Sequence, residues 1–366
     1  MDRMPEPRDH RAPTRQGRRR RWTVVGGVAV LAGLAAGLLA PGAPPPSTTS
    51  PPASAATVAP PSGALAVQEA YIGALRAATP SVVEIATTDG LGSGVVYDTK
   101  GDVVTNAHVV GSSTRFTVQL ANGRQVAASL VGVFAPDDLA VIRLANPAGT
   151  RPATFADSTK LRAGDLTLAI GSPLGLAGSV TDGIVSSTGR AVSEGNGVVL
   201  PDTIQTSAAI NPGNSGGALV DLSGRVIGIP TLAATSQSSG TQAAGIGFAI
   251  PSNTVRLIVP QLISRGKVTS AGRAALGITG AGVTSSDGSP LGVYVSSVAP
   301  GGPAAKAGIV QGDVIVSVAG HPATSFTELA AVLATLEPGA TVTVKLLAST
   351  GAARSVAVVL GDLAGA

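Results

Sequence analysis

From residue 80 to residue 251 the chain is cut into short apolar runs by turn signals, and that punctuation limits what it can fold into more than any other feature. Val83 and Ile85 alternate with polar neighbours, and Val103-Val104, Leu139-Ala140-Val141-Ile142 and Val226-Ile227-Gly228-Ile229 follow. Between these runs stand Asp89-Gly90, Lys100-Gly101-Asp102, Asn122-Gly123 and Ser223-Gly224. Short runs bounded by such dipeptides suit strands, so an all-β barrel or sandwich ending near Pro251 is expected. The 48 glycines and the 2% aromatic content agree, because they favour tight turns and small side chains over helical bundles. A length of 366 residues allows about two or three domains.

Within this region Ser215 stands in Asn211-Pro212-Gly213-Asn214-Ser215-Gly216-Gly217. A serine between glycines can be exposed and ringed by free backbone N–H groups, as acyl-transfer chemistry requires of its nucleophile. Gly213-x-Ser215-x-Gly217 also fits the nucleophile elbow of α/β-hydrolases. That elbow needs a helix after the serine and a histidine later in the chain. Here Ala218-Leu219-Val220, Asp221-Leu222-Ser223-Gly224 and Val226-Ile227 read as strand, turn and strand.

Three histidines make the catalytic base almost a matter of elimination. His10 lies in an arginine-rich tail, and His321 sits in a Gly320-His321-Pro322 turn beyond the β region and has no assignable role. His108 remains, just after the strand Val103-Val104. A triad acid must accept the second imidazole N–H so that the other nitrogen faces the serine. Asp137 and Asp138 precede the strand Leu139 to Leu144, and Asp138, at the strand entry, is the better placed. The order His, Asp, Ser is that of chymotrypsin-type barrels.

Thr105-Asn106-Ala107-His108-Val109-Val110, Asp138-Leu139-Ala140-Val141-Ile142, Gly171-Ser172-Pro173-Leu174-Gly175, Gly183-Ile184-Val185-Ser186 and Asn211 to Gly217 together resemble the HtrA/DegP family of serine proteases through residues 80 to 253. The resemblance implies a chymotrypsin-like double β-barrel with Ser215 as nucleophile, His108 as base and Asp138, not Asp137, as acid. It implies an oxyanion hole from the N–H groups of Gly213 and Ser215, helped by Asn214, and a small apolar pocket lined in part by Ile210. No cofactor is needed, and with no cysteine and three histidines a His/Cys metal site has little to draw on. One departure is Ser207, where many relatives have aspartate. Relatives of this kind often pack as trimers through the start of the barrel domain, where Tyr71 is the sole aromatic, so a homotrimer is an expectation.

The charge is unevenly placed. Residues 1–21 carry eight arginines against Asp2, Glu6 and Asp9, and the remainder is close to neutral, which argues against a nucleic-acid partner. Residues 22–40 contain no charge and, if helical, nearly span a bilayer core. With basic residues held in the cytoplasm, a single-pass transmembrane helix would place the remainder outside; a cleaved export signal is the rival. Residues 41–63 are rich in Pro, Ser, Thr and Ala and read as an extended linker. The protease domain is then expected over 64–266, starting with a helix from Ala64 to Ala78 and ending with one bearing Val255, Ile258, Val259 and Leu262, interrupted by Pro260.

After a linker at 267–274, residues 275–362 resemble a PDZ domain. Ala275-Leu276-Gly277-Ile278 stands at its carboxylate-binding loop, and Gly312-Asp313-Val314-Ile315 in a later strand. Ser325 and Glu328 form a capping box ahead of Leu329, Val332, Leu333 and Leu336. Leu276, Gly277 and Ile278 are thereby expected to bind peptide C-termini. The functional expectation is a membrane-anchored, extracytoplasmic serine endopeptidase acting on unfolded or misfolded proteins. The alternative is a peptide-binding chaperone or scaffold with latent protease activity.

Overall fold

The computed structural model describes residues 62–88, 90–172, 179–195, 198–211, 213–235 and 242–364. The basic tail, the 22–40 span and most of the linker lie outside these residues, as does His10. Among the described residues no helix is long and apolar enough to cross a membrane.

The first helix, α1 (Ser62–Ala78), lays Ala74 and Ala78 into the core beside Tyr71 and Leu75. Its last turns press on Gly224, where a Cβ would come within 2.7 Å of Ala77 Cβ and 2.9 Å of Ala74 O. Gly224 also sits at φ 73°, so that turn needs glycine on both counts.

Two closed six-stranded barrels follow. The first runs β1 (Val82–Ala86), β2 (Leu91–Val96), β3 (Asp102–Asn106), β4 (Arg115–Gln119), β5 (Gln125–Phe134) and β6 (Leu139–Leu144), ordered β1-β2-β3-β6-β5-β4 around its wall. The short helix α2 (Ala107–Val110) leaves the end of β3. The second barrel runs β7 (Leu166–Gly171), β8 (Ser179–Gly195), β9 (Val198–Thr206), β10 (Ala218–Val220), β11 (Val226–Thr235) and β12 (Gln242–Pro251), ordered β10-β11-β12-β9-β8-β7.

Successive side chains of a strand point to opposite faces, and both faces of the central strands are covered. Val103 and Ile142 fill the first barrel, while their neighbours Val104 and Val141 turn outward into a second core. There they meet Leu168, Ile170, Ala218 and Val220 from the second barrel. This double burial explains why Leu139–Ile142 is apolar without alternation.

The same core takes in α3 (Ser252–Arg265) through Val255, Ile258, Val259 and Leu262. The expected interruption at Pro260 does not occur: α3 continues through it. Four fully buried side chains on both sides of the proline hold the helix together against the loss of one N–H donor.

The C-terminal domain contains β13 (Ala274–Ala275), β14 (Ile278–Thr284), β15 (Pro290–Val298), α4 (Pro303–Lys306), β16 (Val314–Val318), β17 (His321–Pro322), α5 (Phe326–Ala334), β18 (Thr341–Leu347), β19 (Ala353–Val359) and β20 (Gly361–Asp362). Its main sheet is ordered β14-β15-β16-β18-β19, with β17 on β16, and β13 pairs with β20. Val293, Val295, Ile315, Leu329, Val344 and Leu346 form its core. Ser325 caps α5 by accepting the Glu328 N–H at 3.1 Å, but the Glu328 carboxylate takes the N–H and hydroxyl of Thr324 instead of completing a reciprocal box. Val268 and Ala271 still belong to the core between the barrels whereas Ala274 belongs to the C-terminal core, so the chain crosses between domains at 271–274. His321 is exposed on β17.

Candidate active site

The end of β3 and the entry to β6 are tied together by backbone bonds. Ala107 N–H and Asn106 Nδ2 both donate to Asp138 O at 3.0 Å. A 3-10 turn, Ala135–Asp137, leads into Asp138, which takes the left-handed conformation (φ 48°, ψ 39°). Aspartate is one of the few side chains that tolerate this region, and the kink aims its carboxylate back at α2. Asp138 Oδ1 accepts His108 N–H at 2.9 Å, and Oδ2 accepts His108 Nδ1–H at 2.8 Å. The carboxylate is 3% exposed and the imidazole 48%, so the acid is buried and the far edge of the ring faces the cleft.

Ser215 comes from the second barrel, immediately before β10. Its Oγ donates to Thr231 O at 2.9 Å, and Thr231 Oγ1 donates to Asp138 Oδ2 at 2.6 Å. Ser215, Thr231, Asp138 and His108 therefore form one hydrogen-bonded chain across the barrel junction. Thr231, a buried hydroxyl next to Pro230 in β11, was not singled out from the sequence. Its one signal is a polar side chain directly after the apolar run Val226 to Pro230.

Ahead of Ser215 the backbone turns back on itself. Asn214 N–H donates to Asn211 O at 3.0 Å, closing a β-turn in which Gly213 takes φ 101°, a region that favours glycine. Among the described residues neither the Gly213 nor the Ser215 N–H donates to a backbone carbonyl. The Asn214 N–H closes this turn, and its buried side chain donates from Nδ2 to Ala209 O at 3.2 Å. Ile210 is 5% exposed and packs with Val185, Ala208 and Ile227 in the second barrel. A Cβ at Gly247 would lie 2.4 Å from Ile210 Cγ1.

Asp137 and Asp138 turn to different partners. Asp137 pairs with Arg273, at the joint between the two domains, and is almost fully buried. Burial pushes its carboxyl up from 3.8 to about 6 and outweighs the guanidinium beside it. Asp202, on β9, is raised by burial too, with Arg273 pulling it back. Arg273 thus faces two acids of the protease domain.

Leu276, Gly277 and Ile278 lie beside α5. With Phe326, Leu329 and Leu333 they line an apolar groove of about 330 Å³, and Ala135, Pro136, Val199 and Pro201 of the protease domain form its other side. The two-domain lining could not be inferred from the sequence of either domain.

Residues 92–229 match a trypsin-like peptidase domain, and residues 267–347 match a PDZ domain. The periplasmic pH-dependent serine endoprotease DegQ of Escherichia coli is 42% identical over 266 residues, covering 71% of this chain and 57% of that protein. The periplasmic serine endoprotease DegP of Escherichia coli is 46% identical over 264 residues, covering 70% and 54%. The solved structure of the HtrA-type protease AlgW with a decapeptide matches with a TM-score of 0.57 at 31% identity, covering 80% of this chain and 98% of that one. The chain belongs to the HtrA/DegP family of serine proteases. It spans little more than half the length of the two Escherichia coli relatives.

Within the HtrA/DegP frame, the trypsin-like barrels and single PDZ domain expected from the sequence are the observed architecture. The departure at Ser207 is absorbed locally: its Oγ accepts Ile184 N–H at 3.0 Å and its N–H donates to Ile184 O at 3.1 Å, so it serves to pair with β8.

Proposed function

We propose that this chain is a serine endopeptidase in which Ser215 attacks the scissile carbonyl, His108 takes its proton and returns it to the leaving amine, and Asp138 fixes the imidazole tautomer. The observation that carries this reading is the hydrogen-bonded chain from Ser215 through Thr231 and Asp138 to His108. The developing oxyanion is held by the N–H groups of Gly213 and Ser215, which the β-turn leaves unspent. Ile210 closes the floor of the substrate pocket against Gly247, which favours small aliphatic side chains before the cut.

Peptide C-termini bind the PDZ groove as an added strand against β14, beneath α5, with Leu276, Gly277 and Ile278 at the carboxylate end. Unfolded or misfolded polypeptides are the substrate class, since they alone offer both loose ends and extended segments. Residues 22–40 anchor the chain as a single transmembrane helix with both domains outside the cytoplasm. The periplasmic location named for DegQ and DegP supports that side of the membrane. A homotrimer built around α1 completes the assembly.

One observation favours the second reading, a chaperone or scaffold with latent activity: the Ser215 hydroxyl donates its single proton to Thr231 O. Catalysis requires it to turn to His108. The fragment from residue 64 onward is expected to cleave unfolded casein, and Ser215→Ala to abolish cleavage. Peptide binding without turnover by the wild type, or undiminished cleavage by the variant, defeats the endopeptidase reading.

A further inference from the structure

Both residues that offer N–H groups to the cleft, Gly213 and Ser215, have their carbonyls held by one residue of the opposite barrel. Ser93, fully buried on β2, donates from Oγ to Gly213 O at 2.5 Å and from N–H to Ser215 O at 2.9 Å. Its own carbonyl accepts Thr105 Oγ1 at 2.7 Å. The approach is close: a Cβ at Gly216 would fall 2.2 Å from Ser93 O, and one at Gly217 would fall 3.2 Å from Ser93 Cβ.

The Ser93 hydroxyl is itself oriented. Its Oγ accepts the Ser172 N–H at 2.9 Å, and Ser172 Oγ donates to Glu84 Oε2 at 2.8 Å. With an N–H occupying an Oγ lone pair, its one proton is directed to Gly213 O. The path Glu84, Ser172, Ser93, Gly213 runs from a small surface cleft of about 80 Å³ between β1 and the end of β7 to the turn before the nucleophile.

We propose that Ser93 is a positioning residue for the oxyanion hole and that Glu84 and Ser172 set its hydroxyl. Gly213 is a glycine at positive φ, and without anchors its N–H samples orientations that miss a developing oxyanion. The two held carbonyls belong to the peptide units that follow Gly213 and Ser215, next to the units that carry the donor N–H groups, so fixing those planes limits the φ and ψ rotations that could turn the donors away before substrate arrives, which is where electrostatic preorganisation acts. None of Glu84, Ser172 or Ser93 touches substrate. The inference rests on the endopeptidase reading, and the two fail differently: no turnover by the wild type defeats that reading, whereas full turnover by the variants defeats this one.

The test uses the full chain with a fluorogenic peptide substrate and a peptide aldehyde, whose hemiacetal oxygen occupies the hole. Ser93→Ala and the near-isosteric Ser93→Cys are expected to lower kcat by about 10- to 100-fold, below the loss from deleting a donor outright, with KM within about twofold. Affinity for the aldehyde falls in step with kcat. Glu84→Ala, at a partly exposed site, lowers kcat by several-fold, and Glu84→Gln restores most of it because its amide oxygen still accepts from Ser172. Unchanged kcat in Ser93→Cys and Glu84→Ala overturns the proposal, as does a rise in KM at constant kcat or aldehyde affinity that stays put while kcat falls. If Ser93→Ala does not fold, the cysteine variant and the Glu84 pair still decide.

Discussion

The cleft between the barrels and the groove beside α5 are built from opposite materials. The cleft is held by short hydrogen bonds centred on buried polar groups: His108 to Asp138, Thr231 to Asp138 and Ser93 to Gly213. The groove is lined by Leu276, Ile278, Phe326, Leu329 and Leu333 with Ala135, Pro136, Val199 and Pro201 opposite. Directional bonds fix atoms for chemistry, and each one broken is felt at the reacting carbonyl. Apolar contacts give affinity that is spread over many side chains and tolerates change. Substitutions in the cleft should therefore be steep and those in the groove shallow.

The steepest is His108→Ala. Members of a hydrolytic triad act as a unit, so losing the base is expected to lower kcat by about a million-fold. A peptide carrying a free C-terminus should still bind the PDZ groove with unchanged affinity, as titration by fluorescence anisotropy would read. Residual cleavage within about a thousandfold of wild type would show that His108 is not the base, and loss of peptide binding would erase the separation between the regions.

The same contrast explains what the sequence could convey. The cleft rests on residues clustered in short motifs, so Thr105 to His108, Asp138 to Ile142 and Asn211 to Gly217 were readable one by one. Even there the partners supplied by other strands were missed. Thr231 and Ser93 are ordinary small polar residues until the barrels bring them to Asp138 and Gly213. The barrels were legible because their runs and turn dipeptides are local, and α3 was misread at Pro260 because tertiary burial overrode a local rule. The groove was half legible: periodicity marks the helix face with Leu329 and Leu333, the resemblance to a PDZ domain implies Leu276 to Ile278, and Ala135, Pro136, Val199 and Pro201 carry no sign of what they face.

The border between the regions gives the next effect. Asp137 stands beside Asp138, the acid of the proposed triad, but pairs with Arg273 at the domain joint, and its carboxyl is raised from 3.8 to about 6. An acid whose folded pKa is raised holds its proton more tightly when folded, so its stabilising contribution is full below the unfolded value and fades as pH rises through about 6. Across pH 4 to 7 this amounts to a loss of about 2 kcal/mol. Asp202, raised in the same direction, adds to the slope. Asp137→Asn has no proton to lose, so its Tm relative to wild type should climb between pH 4 and 7, by calorimetry. Parallel Tm curves would mean that the carboxylate stays charged throughout that range.

Thr231→Val removes the hydroxyl bond to Asp138 while keeping the side chain's shape. Hydrogen bonds to a buried carboxylate contribute about 1.5–3 kcal/mol, which corresponds to about 10- to 100-fold in kcat if the whole of it orients His108. A change in KM alone would place Thr231 in substrate binding instead.

The shallowest effect belongs to the groove. Leu333 faces it from α5 and is only partly buried, so Leu333→Glu can be made without opening the PDZ core. Placing a carboxylate where an apolar peptide side chain would pack removes one contact and adds repulsion toward the peptide's terminal carboxylate, an expected loss of about 10-fold in affinity, near 1.4 kcal/mol. Fluorophosphonate labelling of Ser215 should proceed at the wild-type rate, since no bond of the cleft passes through α5. The two readouts together decide how separate the regions are. Weakened binding with intact labelling keeps them apart, whereas slowed labelling would mean that the shared wall at Ala135 and Pro136 carries a change in the groove to the turn before Asp138.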